Sequence, residues 1–217
     1  QEVAYHALGD RRGALVAIDP ATGGVLAFVS KPGFDPNLFV DGIDSLNWNE
    51  LNNSPDKPLV NRALNGTYPP GSTFKPYMAL AALTYGKRTP QQTINDPGYF
   101  MFGGHQFRDS RPGGHGIVDM YKSIVKSSDT YYYMVANDLG IDAIARFMAQ
   151  FGFGSRTGID ISGESAGVLP SQEWKMRRFN QKWFAGETIS IGIGQGYNAY
   201  TPLQLAQAIA MLASDGV

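Results

Sequence analysis

The sequence predicts an α+β fold, and three observations carry that prediction. Gly13–Ile18 is an apolar, strand-like run; Asp19-Pro20-Ala21-Thr22-Gly23-Gly24 is dense in turn residues; residues 25–30 return as a second strand. Further along, several stretches carry helical periodicity with start and stop residues at their ends. Strands number two or three against five or so helices, and a lone hairpin is marginal in water. The sheet therefore reads as incomplete, and the chain as part of a larger domain.

Residues 31–68 are rich in Asn, Asp, Pro and Gly and read as a long excursion with one helical turn near 48–51. Loops of this length usually serve a site. Tyr68-Pro69-Pro70-Gly71 stops the chain, Ser72 is placed to start a helix, and 73–85 has helical character ending at Gly86. Pro76 is tolerable because it falls in the first turn. Residues 89–116 are Gly- and Pro-rich. Residues 117–126 read as an amphipathic helix, Ser127-Ser128-Asp129 interrupts it, and 130–139 restarts it up to Gly140. A shorter helix covers 141–150. Residues 153–189 are mixed, and 189–195 leads through a turn into a helix over Pro202–Ala213, with Thr201 as cap, Pro202 at the first position and Gly216 beyond the end.

Composition narrows the function classes. The 217 residues are 43% hydrophobic and 17% charged with a formal net charge of −1, so global disorder is excluded and a nucleic-acid surface has little support. With no cysteine there is no disulfide, thiolate catalysis or Cys-based zinc site. No apolar run approaches the ~18 residues of a membrane span.

The most suggestive chemistry is Ser-x-x-Lys, since a serine hydroxyl needs a base to become a nucleophile. The pattern occurs at Ser54/Lys57, Ser72/Lys75 and Ser123/Lys126. Ser54 lies in a polar loop that fixes no geometry, and Ser123 has the spacing of helix packing. Ser72 alone stands at a helix start, where Lys75 shares its face and the helix dipole favours a developing oxyanion. The plain alternative is that Ser72 caps the helix and Lys75 is solvated. Ser127-Ser128-Asp129, in its break between helices, offers either polar groups to a site or an ordinary cap. Asp96, His105, Asp109 and His115 supply ligand types that zinc takes, against a reading as loop turns and surface groups. Three consecutive rings, Tyr131, Tyr132 and Tyr133, are expected to leave at least one pointing toward a groove.

Taken together, these residues resemble the transpeptidase domain of penicillin-binding proteins, whose signature set is Ser-x-x-Lys, Ser-Asp-Asn and Lys-Thr-Gly. The resemblance spans the chain. It rests on the hairpin 17–27, Asn61-Arg62-Ala63, the run from Tyr68 to Lys75, and Gly192-Ile193-Gly194-Gln195-Gly196 with Thr201-Pro202-Leu203-Gln204. The Ser-x-Asp form of the second motif and the stretch from Gly103 to His115 point to the monofunctional, elongation-specific branch. The resemblance implies a penicillin-binding/β-lactamase-like fold, of which residues 1–217 are expected to be the N-terminal two-thirds of a single transpeptidase domain. The C-terminal sheet strands of that fold, including the Lys-Thr/Ser-Gly strand, are expected to be absent from these residues.

The implied catalytic residues are Ser72, Lys75, Ser127 and Asp129, with no metal or cofactor. The implied activity is penicillin-sensitive cross-linking of peptidoglycan stem peptides through a serine acyl-enzyme; this partial chain alone is expected to be inactive or impaired. The implied partners are stem peptides, β-lactams, a membrane-embedded glycan polymerase and cell-elongation scaffold proteins. The implied location is the periplasmic face of the bacterial inner membrane, anchored by an upstream segment. A serine β-lactamase, a covalent β-lactam sensor and a non-catalytic cell-wall scaffold are the competing readings. Glu173 is followed by Trp174-Lys175-Met176-Arg177, so no Glu-x-x-x-Asn water-activating setting follows the second motif. One departure matters: an ionised Asp129 near Lys75 favours the ammonium, the wrong direction for a base, unless Asp129 is tied up or Ser127 relays the proton.

Overall fold

The computed structural model describes residues 1–216. In chain order it runs α1 (Glu2–Leu8), β1 (Gly13–Ile18), β2 (Val25–Lys31), α2 (Ser45–Asn53), α3 (Lys75–Thr84), β3 (Ile94–Asp96), β4 (Tyr99–Phe102), β5 (His105–Arg108), β6 (Gly116–Val118), α4 (Met120–Lys126), α5 (Asp129–Leu139), α6 (Ile141–Met148), α7 (Gln172–Phe179), α8 (Ala185–Ile191) and α9 (Pro202–Ala213). Short 3₁₀ turns occupy Pro36–Phe39, Gly71–Phe74 and Ala149–Phe151. The α+β class holds, with more strands than the two or three expected. Among the described residues, three separate two-stranded antiparallel sheets pair β1 with β2, β3 with β6 and β4 with β5.

Two of those sheets lie within or at the edge of the stretch read as Gly- and Pro-rich loop. Their strands are three or four residues long, too short for alternation to register. The turn chemistry was nevertheless legible: Gly103-Gly104 joins β4 to β5 with φ of 55° and 80°, the two positive values that a tight primed hairpin needs. Two helices, α7 and α8, were likewise hidden in the mixed region 153–189. α2 is longer than the single turn expected, because Asp44 caps it from upstream by accepting from the amides of Leu46 and Asn47.

The chain divides into two compact units. The first comprises residues 1–68, 151–167 and the segment from 200 onward. Its hairpin keeps register from Gly13↔Lys31 to Ala17↔Ala27, then slips at a bulge between Ala17 and Ile18. Ala27 and Val29 on β2 bury against Ala4 of α1, with Leu8, Leu15 and Ala17 around them, and α9 lies along β1. α9 starts as predicted: Thr201 accepts from the Gln204 amide while Gln204 Oε1 accepts from the Thr201 amide, a reciprocal capping box, and Pro202 opens the helix. The Gln204 Nε2 group then donates to the carbonyls of Ser155 (2.6 Å) and Ala166 (2.8 Å), so one buried amide side chain ties the helix start to the 155–166 segment.

The second unit comprises residues 69–150 and 168–199 and is built around α5. Helices α3, α6 and α8 and strands β3, β4 and β5 all contact this one helix. The expectation that one of three consecutive tyrosines faces a groove is therefore overturned: Tyr131, Tyr132 and Tyr133 are all buried, because neighbouring helices and strands pack around α5 where the rings sit. Burial pushes the Tyr133 phenol up to about 12 and its hydroxyl donates to the Arg108 carbonyl. The Ser123 hydroxyl is 3.0 Å from that of Tyr132 and also donates to the Met120 carbonyl, which confirms Ser123/Lys126 as a packing feature.

Replacing Gln204 with Leu leaves both carbonyls and the Thr201 amide without their partner. The unfolding free energy is expected to fall by about 1–3 kcal/mol, measured by urea denaturation; an unchanged midpoint would show that the cap contributes nothing.

Candidate active site

All four sequence-predicted catalytic residues lie in the second unit, and the structure brings them together. Ser72 sits on the 3₁₀ turn Gly71–Phe74, and α3 begins only at Lys75, three residues later than the expected helix start. A 3₁₀ turn has three residues per turn, so Ser72 and Lys75 still share a face. Ser72 is exposed and makes no side-chain cap, which removes the plain capping alternative. Lys75 is only 1% exposed, so it is not a solvated lysine either.

The break between α4 and α5 supplies what Lys75 faces. Ser127 ends α4 in the left-handed region (φ 55°, ψ 43°), a conformation that costs a non-glycine residue roughly 1–2 kcal/mol. It turns both its carbonyl and its hydroxyl toward the lysine. Lys75 Nζ donates to Ser127 O (2.7 Å), Ser127 Oγ (3.0 Å) and Asp129 Oδ1 (2.6 Å). Three acceptors match the three hydrogens of an ammonium. Ser127 Oγ in turn lies 3.1 Å from Ser72 Oγ. The hydrogen-bonded path from the lysine to the candidate nucleophile therefore passes through Ser127.

The capping and site readings of 127–129 both hold, on different residues. Ser128 caps α5, accepting from the Tyr131 amide, while Asp129 turns to Lys75. The loop 108–111 fixes Asp129 from the other side. The Ser110 amide donates to Asp129 Oδ2 (3.1 Å), and Asp109 Oδ2 accepts from the Thr130 amide (2.9 Å), so two carboxylates staple the loop and the start of α5 to each other. Ser110 was missed because its contribution is a backbone N–H, which no residue type announces.

Asp96, Asp109 and His115 were weighed as surface groups, and the structure corrects this. They are gathered in the interior, with one donor atom of each within 4.8 Å of the others. Ser128 Oγ donates to Asp96 Oδ2, and His115 Nε2 lies 3.6 Å from Asp109 Oδ1. Burial alone would raise the Asp109 carboxyl; the amides of Thr130 and Arg111 outweigh it and hold the group below its ordinary value. Two carboxylates and an imidazole are donor types a divalent cation takes. His105 is not among them; it is exposed on β5.

A glycine strap holds the turn that carries Ser72. The Gly71 amide donates to the Gly194 carbonyl (3.0 Å). Gly194 has φ 72°, and a Cβ there would lie 2.2 Å from the Gly71 carbonyl oxygen, so only glycine fits. This explains the Gly-rich run after α8.

Comparison with known proteins agrees with this geometry. Residues 13–217 match the penicillin-binding protein transpeptidase domain. The chain is 53% identical over its whole length to the peptidoglycan D,D-transpeptidase MrdA of Acinetobacter baumannii, of which it spans 32%. It superposes on the crystal structure of Pseudomonas aeruginosa PBP2 in complex with WCK 5153 with a TM-score of 0.96 and 50% identity, covering all of this chain and 48% of that one. PBP2 of Helicobacter pylori in complex with MreC is also similar, with a TM-score of 0.93 and 36% identity over 97% of this chain and 39% of that one. The chain thus spans about a third of the curated relative and less than half of each of these structures. It belongs to the penicillin-binding protein transpeptidase-domain family.

Proposed function

We propose that this chain carries the acylation machinery of a peptidoglycan D,D-transpeptidase of the cell-elongation type. The observation that carries the reading is the continuous path Ser72 Oγ–Ser127 Oγ–Lys75 Nζ. Ser72 attacks the carbonyl of the penultimate D-Ala of a stem peptide. Its proton passes through Ser127 to the Lys75–Asp129 pair as the C–O bond forms. The amide C–N bond then breaks, the terminal D-Ala leaves with a proton returned through Ser127, and an amine from a neighbouring stem resolves the ester. In this reading Asp129 does not oppose the base. It holds Lys75 against Ser127, and the pair accepts the proton as a unit.

The continuous family match from 13 to 217 supports reading both units as parts of one transpeptidase domain, here its N-terminal two-thirds. The 217 residues contain no Lys-Thr-Gly or Lys-Ser-Gly. β-Lactams acylate Ser72 as substrate mimics. An elongation scaffold protein and a membrane-embedded glycan polymerase are the proposed partners; the complex of the Helicobacter pylori relative with MreC supports the first. The proposed setting is the periplasmic face of the inner membrane, with an anchor outside these residues; among the described residues no helix is long and apolar enough to cross a membrane.

Intact mass spectrometry of the full-length protein after incubation with a penicillin, with peptide mapping, is expected to find one stable adduct on Ser72 and none in Ser72→Ala. Labelling of the variant would refute the nucleophile, and an adduct lost within minutes would indicate a lactamase instead. Lys75→Met is expected to slow acylation by about 10²–10⁴-fold, the usual contribution of a positioned base. Ser127→Gly tolerates the positive φ while removing the relay hydroxyl, and stopped acylation assays are expected to show a loss in the same range. A Ser127→Gly rate equal to wild type would mean that the proton does not travel through residue 127.

A further inference from the structure

A second buried lysine lies on α7, away from the reacting groups. Lys175 is 1% exposed, and its Nζ contacts both oxygens of Glu187, at 2.5 and 2.7 Å. Rings surround it: Phe184 with its centroid 4.5 Å from Nζ, and Trp183 and Tyr197 at 5.9 Å each. Glu187 lies in the first turn of α8 and gathers two further donors, the Phe184 amide (2.9 Å) and the Tyr197 hydroxyl (3.3 Å). Trp183 Nε1 donates to Thr188 Oγ1 one residue further on. One carboxylate thus joins α7, the connection into α8, the start of α8 and the segment after it.

What α8 does next gives this clamp a consequence. Its buried residues Thr188, Ile189 and Ile191 lie on the helix that contacts α5. At its end Gly192 meets α5 so closely that a Cβ would fall 2.5 Å from the Tyr132 carbonyl oxygen. Two residues later Gly194 holds Gly71, the residue before Ser72. Asn198 Nδ2 closes the loop, donating to the carbonyls of Ile191 and Gln195. The path from Glu187 to the nucleophile is one short helix, one glycine strap and one hydrogen bond.

We propose that Lys175 and Glu187 are positioning residues for Ser72: their ion pair sets the seat of α8, and through Gly194 it sets where the Ser72 turn lies. The proposal rests on reading Ser72 as the nucleophile. Lys175 is buried and Glu187 half-buried, and an ion pair taken this far out of water is a poor source of stability, since apolar side chains of similar volume often serve as well or better. What it provides is one fixed arrangement, and displacement of a nucleophile by a fraction of an ångström acts on the bond-forming step rather than on binding.

The test is two-step acylation by a fluorescent penicillin in the full-length protein, which separates the dissociation constant of the first complex from the acylation rate constant. Glu187→Gln removes the charge and keeps an acceptor. Lys175→Met/Glu187→Gln leaves no lone buried charge and covers the case in which the single variant does not fold. Both are expected to slow the acylation step about tenfold while leaving the first dissociation constant within about twofold. A wild-type acylation rate with only a lowered melting temperature would overturn the proposal and leave the nucleophile reading intact. Wild-type protein that forms no adduct at Ser72 would remove the nucleophile reading, and this proposal with it.

Discussion

A lysine taken out of water must find an acceptor for each of its hydrogens or give up its charge. Lys75 finds three, two from Ser127 in the short break between α4 and α5 and one from Asp129 at the first position of α5. Much of the local structure of the second unit follows from supplying them. Ser127 takes a left-handed conformation so that its carbonyl and its hydroxyl face the same nitrogen. Asp129 must present one oxygen to Lys75, so its other oxygen is pinned by the Ser110 amide. The loop that supplies Ser110 is itself held by Asp109 against the Thr130 amide.

This arrangement separates reactivity from support. Ser72 is exposed, Lys75 is buried, and Ser127 and Asp129 are half-buried between them. Rigidity comes from three directions: the Ser127–Asp129 turn behind Lys75, the 108–111 loop beside Asp129, and the Gly194 strap on Gly71. α5 lies behind all of them, enclosed by helices and short strands, and its three buried tyrosines fill the space that a smaller helix would leave empty. A serine held in place on a 3₁₀ turn needs such backing, because the turn by itself has poor hydrogen-bond geometry.

Legibility along the sequence varied with the length of the signal. The first hairpin, α9 and its capping box carry periodicity over enough residues, or enough distinctive end residues, to be read directly. β3 to β6 do not, since three or four residues cannot establish a period; only Gly103-Gly104 marked one of their turns. α7 and α8 were missed because their faces are mixed: a buried Lys175 and a half-buried Glu187 look like solvent-facing residues until their mutual pairing is seen. The tyrosine run failed for a related reason. The argument that three successive rings cannot share one face is sound, but it assumes an open side at that level of the helix, and at residues 131–133 α5 is covered all round.

The sequence by itself determined the chemistry. Ser72 and Lys75 at a spacing of three, behind a Pro-Pro-Gly bend, could be singled out as a candidate nucleophile and its neighbour because that relation is local. Tertiary structure decided the rest. It chose Ser127 as the link between them and paired Asp129 with Lys75. It also buried Asp96, Asp109 and His115 together while leaving His105 outside. Each of those outcomes joins residues tens of positions apart, and some of the joining groups are backbone amides and carbonyls. Every residue type except proline carries the same amide, so its role appears only when the chain has folded around it.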